Sequence, residues 1–225
     1  MQLCVYSGFP LCNKKLKEEL TQSYTEKTQR NTEKRTLNPT VNTHPFHHLK
    51  ILTKFEKKVM AKITFKGNPV NTFGDLPSKG TKAPDFSLVK SDLGSLSLSE
   101  LKGKKVILNI FPSLDTSVCA TTVRKFNQMA AGMKNVTVLG ISKDLPFAHG
   151  RFCSTEGITN VITLSGFRNR EFGKAYGVDY IDGPVVGLYA RAIVVIDETG
   201  TVVYTELVPE HIHEPDYEAA LKAVQ

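Results

Sequence analysis

Residues 105–119 constrain the fold of this chain more than any other part of its sequence. The stretch begins as an apolar run rich in β-branched residues, which is typical of a buried strand. Pro112 ends the run because proline has no amide hydrogen for a strand ladder and pushes the preceding residue toward an extended conformation. Hydroxyl and carboxyl side chains suited to helix capping follow, and the apolar spacing after them predicts a helix over 118–132.

Cys119 lies in the first turn of this predicted helix. The unpaired amides of a first turn and the positive end of the helix dipole both favour a thiolate over a thiol. Thr116, three residues earlier, is close enough for its hydroxyl to reach the sulfur or a bound substrate. A nucleophilic cysteine is therefore one interpretation. The other is that Cys119 is a small buried apolar residue, as most free cysteines are.

The pattern Pro112-x-x-x-Thr116-x-x-Cys119 at a strand-to-helix junction resembles the peroxidatic motif of peroxiredoxins. The nearest likeness is to the thiol peroxidases, which are atypical two-cysteine peroxiredoxins. It extends from about residue 60 to the C-terminus and does not cover the first 59 residues. The supporting stretches are FPSLDT at 111–116, VRKFN at 123–127, DLPFA at 144–148, RFC at 151–153 and ARA at 190–192.

The resemblance implies a role for each of five residues. Cys119 attacks a hydroperoxide, and Cys153, 34 residues later, resolves the resulting sulfenic acid by forming a disulfide with it. Arg191 and the Thr116 hydroxyl stabilise charge on the peroxide oxygens, and Pro112 shields the sulfur from water. By the same resemblance the reductant is thioredoxin and the protein is a homodimer. No metal or organic cofactor is expected.

Other interpretations of the same residues remain open at this point. An arginine beside a buried strand needs an anionic partner, and a carboxylate could serve Arg191 as well as a thiolate. Cys153 could be an inert helical thiol. Arg124 could simply pair with surface carboxylates. Asp115 could cap the helix, but we expect it to face away from Cys119 because a nearby carboxylate disfavours a thiolate.

The net charge of +7 would suggest a nucleic-acid or membrane partner if it were spread over the whole chain. It is not, because residues 1–59 carry 11 Lys/Arg and 5 Asp/Glu and the rest carries 18 and 17. The domain itself is nearly neutral, which gives no support to nucleic-acid binding. No apolar run approaches the ~20 residues of a membrane helix. We therefore expect neither a nucleic acid nor a membrane as partner.

The four cysteines, Cys4, Cys12, Cys119 and Cys153, are too few and too widely spaced for a disulfide framework. They also lack the paired short spacings of a zinc site. Without a convincing secretion signal, they indicate redox chemistry or inert thiols in a cytoplasmic protein.

The chain divides into a basic extension and one domain. Residues 1–59 are rich in Lys, Glu, Thr, Gln and Asn, a composition typical of disorder, whereas 60–225 alternate between strand and helix patterns. The fold class is therefore α/β, with a central mixed sheet flanked by helices and an N-terminal β-hairpin, and the resemblance implies a thioredoxin-like fold. The predicted strands are 63–65, 70–73, 85–89, 105–110, 136–141, 161–164, 191–196 and 201–207, and the predicted helices are 118–132, 145–155, 168–176 and 215–224.

Two rival functions are compatible with such a domain. A disulfide oxidoreductase would use Cys-x-x-Cys, but Thr116 and Thr122 occupy the positions three residues before and after Cys119. A metal-binding module could use Cys119 and Cys153 with His211 and His213, although two imidazoles alone form a weak site. A redox-sensing role would share the peroxide chemistry.

Overall fold

The computed structural model describes residues 61–225. The predicted basic extension 1–59 lies outside the described residues, and so do Cys4 and Cys12. Within 61–225, no helix has the length and apolar character needed to cross a membrane.

Nine strands and four α-helices make up the described part of the chain. The strands are β1 Lys62–Phe65, β2 Asn68–Asn71, β3 Ser87–Lys90, β4 Ser95–Ser97, β5 Lys105–Ile110, β6 Val136–Ser142, β7 Val161–Ser165, β8 Ala192–Ile196 and β9 Val202–Leu207. The helices are α1 Ser117–Ala130, α2 Pro146–Glu156, α3 Phe172–Ala175 and α4 Tyr217–Lys222, with a 3-10 helix at Leu98–Leu101.

Seven of the strands form one mixed sheet in the order β4-β3-β7-β6-β5-β8-β9, and β1 and β2 form a separate antiparallel hairpin. Strands β5, β6 and β7 are parallel, whereas β8 runs antiparallel to β5 and β9 runs antiparallel to β8. Parallel neighbours need crossover connections, and α1 and α2 supply them. The predicted α/β domain with a central mixed sheet is therefore confirmed.

The central strand β5 divides the core into two layers because successive side chains point to opposite faces. Val106, Leu108 and Ile110 pack on one face with the aromatic rings that surround α3. Ile107 packs on the other face with residues from α1 and α4, in the same apolar cluster as Cys119. Every one of these β5 side chains is at most 1% exposed, so β5 fixes the position from which α1 begins.

The predicted helix over 168–176 is too long, since α3 covers only Phe172–Ala175. The reason is the Asn169 side chain, whose oxygen accepts hydrogen bonds from the amides of Glu171 and Phe172. This capping interaction starts the helix later than the residue pattern predicts. Its predicted end at Gly177 is confirmed, because Gly177 has a φ of 68° in the left-handed region.

The stretch 95–101 forms β4 and the 3-10 helix, where the residue pattern predicts neither a strand nor a helix. The last helix is shorter than predicted because Asp216 caps it, accepting a hydrogen bond from the Ala219 amide at 2.9 Å. The Ser97 amide donates a hydrogen bond to the Glu100 side chain at the start of the 3-10 helix. Local side-chain bonds of this kind, like the Asp216 cap, are not revealed by a periodic pattern.

Candidate active site

Cys119 is the third residue of α1, and the chain reaches it through a short loop after β5. Pro112 is buried at the start of that loop. Thr116 is the N-terminal capping residue, with an extended backbone, and its side chain does not cap the helix. No acidic residue lies in the first turn of α1, so the amides there face no competing carboxylate on their own helix.

Two donors converge on the sulfur of Cys119, which is fully buried. The Thr116 hydroxyl donates a hydrogen bond to Sγ at 2.8 Å. Arg191 Nη2 donates to the same atom at 3.4 Å. The Thr116 hydroxyl also lies 3.1 Å from the carbonyl of Ser113, so its single hydrogen is shared between two acceptors. A hydroxyl and a permanent cation beside one sulfur favour negative charge on that sulfur.

Arg191 is only 1% exposed, although its guanidinium carries a permanent charge. Besides Cys119, Nη2 donates to the carbonyl oxygen of His211 at 3.2 Å. Nε and Nη1 have no hydrogen-bond partner in the described part of the chain. Buried hydrogen-bond donors nearly always have a partner. These two nitrogens are therefore available to donate hydrogen bonds to the oxygens of a ligand next to the thiol.

His211 supports Arg191 through its carbonyl oxygen, and the neighbouring Glu210 anchors the same segment, although the sequence pattern indicated neither of these roles. His211 Nδ1 lies 2.9 Å from the hydroxyl of Tyr180, and burial together with the charge of Arg191 lowers the pKa of its imidazole. The Glu210 carboxylate accepts hydrogen bonds from the amides of Lys66 and Gly67 in the β1–β2 turn. These bonds, chiefly that from Gly67, hold the pKa of Glu210 at about 2.

Asp115 and Arg124, the two weaker candidates, both lie away from the sulfur. Asp115 is exposed and pairs with the exposed Arg151 at 3.6 Å, so its carboxylate is directed away from Cys119 as expected. Arg124 forms a two-pronged ion pair with Glu156 at 2.8 Å for each bond. Arg124 therefore belongs to a surface ion pair between α1 and α2, which was the alternative role considered for it in the sequence.

Cys153 lies on α2 and packs against the same apolar cluster as Cys119, but the polar partners of the two sulfurs differ. Its Sγ is 3.5 Å from the Thr163 hydroxyl on β7. Burial raises the pKa of the Cys153 thiol, and the hydrogen bond from Thr163 partly opposes that shift. Both cysteines are free thiols in this structure. The structure therefore unites Thr116, Cys119 and Arg191 in one site and places Cys153 outside their hydrogen-bond network.

The metal-binding alternative finds no cluster to support it within residues 61–225. No three His, Cys, Asp or Glu side chains are grouped there as ligands for one ion. His211 is instead hydrogen-bonded to Tyr180, and the Cys119 sulfur is beside the cationic Arg191, which repels a metal ion.

The chain is similar to known proteins in both sequence and fold. Residues 78–221 match the redoxin family. Thiol peroxidases of Mycobacterium tuberculosis and Mycobacterium bovis are 57% identical over 165 residues, which are 73% of this chain and 99% of each relative. The crystal structure of a peroxiredoxin-like protein from Aquifex aeolicus is 42% identical with a TM-score of 0.69, covering 73% of this chain and 96% of that one.

A thiol peroxidase from Chromobacterium violaceum has the same fold, with a TM-score of 0.67 at 24% identity over 72% of this chain and 93% of that one. The predicted thioredoxin-like fold and the peroxiredoxin resemblance are thereby confirmed. With a buried thiol held by a hydroxyl and a guanidinium at a helix start, this chain belongs to the redoxin family as a thiol peroxidase of the peroxiredoxin class, an enzyme that reduces peroxides with thiols.

Proposed function

We propose that Cys119 is the nucleophile of this peroxidase and that hydrogen peroxide and organic hydroperoxides are its substrates. The thiolate attacks the terminal peroxide oxygen, so an S–O bond forms while the O–O bond breaks. The leaving oxygen takes a proton and departs as water or an alcohol, and Cys119 remains as a sulfenic acid. The observation that carries this proposal is the convergence of Thr116 and Arg191 on Sγ in the first turn of α1.

Arg191 is proposed to stabilise the charge that develops on the leaving oxygen. Its Nε and Nη1 are unpaired donors within the described residues. A buried guanidinium also acts at low local dielectric, where its hydrogen bonds to developing charge are strongest. Thr116 orients the sulfur and can pass its hydrogen bond to a peroxide oxygen. Pro112, buried beside the loop, is proposed to limit the access of water. No metal or organic cofactor has a part in these steps.

Cys153 is proposed as the resolving residue. Its thiolate attacks the Cys119 sulfenic acid, an S–S bond forms, and hydroxide leaves and is protonated to water. A dithiol of the thioredoxin type then reduces the disulfide and becomes oxidised itself. Because both cysteines lie in regular helices, we include local unwinding of α2 in the cycle, since a disulfide needs its Cα atoms ~5.5–6 Å apart.

The cycle is proposed to run in the cytoplasm, where thioredoxin keeps thiols reduced. The proposed assembly is a homodimer. Several large apolar side chains stand exposed and could contribute to such an interface, among them Leu145 and Phe147 at the start of α2. Size-exclusion chromatography with light scattering, at protein concentrations above and below the micromolar range, measures the assembly directly.

The test of the mechanism compares the wild-type protein with Cys119→Ser and Cys153→Ser, using hydrogen peroxide and an alkyl hydroperoxide with thioredoxin and its reductase. We expect Cys119→Ser to lose all turnover. Cys153→Ser should consume one equivalent of peroxide rapidly and then cycle poorly with thioredoxin. Peroxide turnover that survives Cys119→Ser would overturn the mechanism, and full cycling of Cys153→Ser would remove the proposed resolving role.

A further inference from the structure

Asp144 is a largely buried carboxylate close to the active-site loop, and the proposed mechanism does not use it. It lies just after β6 and two residues before α2, with 15% of its side chain exposed. Oδ1 accepts a hydrogen bond from the Ser113 hydroxyl at 2.7 Å. Oδ2 accepts one from the Leu114 amide at 2.8 Å. Both partners belong to the loop that leads from Pro112 to Cys119.

Among residues 61–225, hydrogen-bond donors rather than a cation hold this carboxylate. The basic group within 4 Å of it in this part of the chain is His149, whose Nε2 lies 3.9 Å from Oδ2. His149 is fully buried, and burial lowers the pKa of its imidazole to about 4, so it is neutral near pH 7. Hydrogen bonds to an ionised acceptor are roughly twice as strong as neutral ones. The charge on Asp144 therefore strengthens its hold on the loop.

Ser142 extends the interaction from Asp144 to helix α2. Its hydroxyl donates to Asp144 Oδ2 at 2.8 Å, and its oxygen lies 2.8 Å from His149 Nε2. Because the only hydrogen of the hydroxyl goes to Asp144, the serine oxygen accepts from His149, which places the imidazole proton on Nε2. His149 is on α2, one turn before Cys153. A continuous hydrogen-bonded chain thus runs from α2 to the Cys119 loop.

We propose that Asp144 is a positioning residue for Cys119, and that the chain His149–Ser142–Asp144 couples the active-site loop to helix α2. When these hydrogen bonds are intact, Asp144 holds Ser113 and Leu114 in place and thereby fixes the start of α1. When α2 unwinds to deliver Cys153, His149 is withdrawn from Ser142 and the restraint on the loop weakens. The loop and α2 therefore open together. This coupling rests on the proposed resolving role of Cys153, whereas the positioning role does not.

The test is amide hydrogen exchange of the full-length reduced protein, read at Leu114. The Val138 amide in the middle of the sheet reports global opening for comparison. We expect Asp144→Ala to speed exchange at Leu114 at least ten-fold while Val138 changes little. Asp144→Asn keeps one acceptor oxygen and should fall between Asp144→Ala and the wild type. It also serves if the alanine variant does not fold.

The coupling is tested with His149→Phe, which keeps the volume of the side chain but removes the donor to Ser142. We expect faster exchange at Leu114, although residue 149 does not touch it. Ser154→Ala, an exposed change on the same helix, is the control and should leave Leu114 as in the wild type. Exchange at Leu114 that is unchanged in His149→Phe would refute the coupling.

Two further results bear on the positioning role. We expect the rate constant for oxidation of Cys119 by hydrogen peroxide to fall about ten-fold in Asp144→Ala and to recover in part in Asp144→Asn. Equal acceleration of exchange at Leu114 and Val138, or an oxidation rate equal to that of the wild type, would overturn the positioning role. Neither exchange measurement needs turnover, so both stand even if the Cys119 and Cys153 variants contradict the proposed cycle.

Discussion

At the scale of single residues, the site depends on the hydrogen-bond donors around the Cys119 sulfur and on which of their N–H groups remain unpaired in the described part of the chain. Arg191 reaches Cys119 and the carbonyl of His211 through a single nitrogen, which leaves two guanidinium nitrogens for a ligand. A lysine at this position would offer one ammonium in place of a planar group with five donors.

We therefore expect Arg191→Lys to lower the rate constant for Cys119 oxidation by on the order of 10²-fold, the usual effect of losing a donor aimed at developing negative charge. Competition for peroxide with a reference peroxidase measures this constant. Arg124→Lys, a matched exchange at an exposed arginine of α1, should have little effect. Oxidation of Arg191→Lys at the wild-type rate would show that the guanidinium does not act on the peroxide.

His149 predicts a pH dependence of stability. Burial lowers the pKa of His149 to about 4 in the folded chain, against about 6.5 when unfolded. The unfolded chain therefore binds more protons between these values, so stability is complete above pH 6.5 and falls as the pH drops toward 4. Asp144, which faces the imidazole, favours its protonated form but does not outweigh burial.

The expected loss from His149 alone is about 3 kcal/mol of unfolding free energy at pH 4. Urea unfolding at several pH values between 7 and 4 measures it. His149→Gln has no titrating group here and should show a shallower dependence. Identical slopes for the two proteins would contradict the prediction.

At the scale of elements, the C-terminal end of α2 is fastened to α1 by a small set of surface contacts. Arg124 pairs with Glu156 and lies 5.8 Å from the ring of Phe152. The Asn127 side chain accepts hydrogen bonds from the amides of Thr159 and Asn160, just beyond the helix. Unwinding of α2 from its C-terminal end must break the Arg124–Glu156 ion pair. The hydrogen bonds of Asn127 lie beyond the helix and can remain formed while α2 unwinds.

Breaking the ion pair should therefore favour opening of α2. We expect Glu156→Gln to speed formation of the Cys119–Cys153 disulfide about two- to five-fold. The increase is small because an exposed ion pair contributes little to stability. Acid quenching followed by mass analysis of alkylated thiols gives the rate. Glu214→Gln breaks a comparable exposed pair with Lys125 on the same helix α1 but does not touch α2, so it should leave the rate unchanged. Equal rates for Glu156→Gln and the wild type would contradict the prediction.

At the scale of the whole molecule, the relatives match a large part of the chain rather than all of it. The mycobacterial thiol peroxidases match 165 residues of this chain, which are 99% of their own length. The basic extension 1–59 carries a charge of +6, whereas the domain carries +1. Within residues 61–225, Thr116 and Arg191 both form hydrogen bonds with Cys119.

We expect a variant that begins at Met60 to keep the peroxide turnover of the full chain within about two-fold, since packing within residues 61–225 positions every proposed catalytic group. Steady-state assays of both proteins with the same thioredoxin system provide the comparison. A large loss of turnover in the shorter protein would assign residues 1–59 a part in the reaction.

The order of strands and helices could be predicted from the sequence because β5, β6 and α1 have strong apolar periodicity. The start of α3 could not, since the Asn169 side chain sets it through hydrogen bonds that have no periodic signature. Asp144 lies within the stretch DLPFA that supports the family resemblance, but nothing in that stretch alone indicates contact with Ser113. A carboxylate two residues after the end of a buried strand was the available signal.

The sequence by itself determined the α/β architecture and the place of Cys119 at a helix start, because local propensity acts over a few residues. The resemblance to peroxiredoxins, carried by short local motifs, added the candidates Pro112, Thr116, Cys153 and Arg191. Only the tertiary structure decided which of them meet. Arg191 reaches Cys119 from 72 residues away, and Asp144 reaches the loop from 30. Such contacts depend on the register of β5 against its neighbours and on the packing of α1 and α2, which no local pattern encodes.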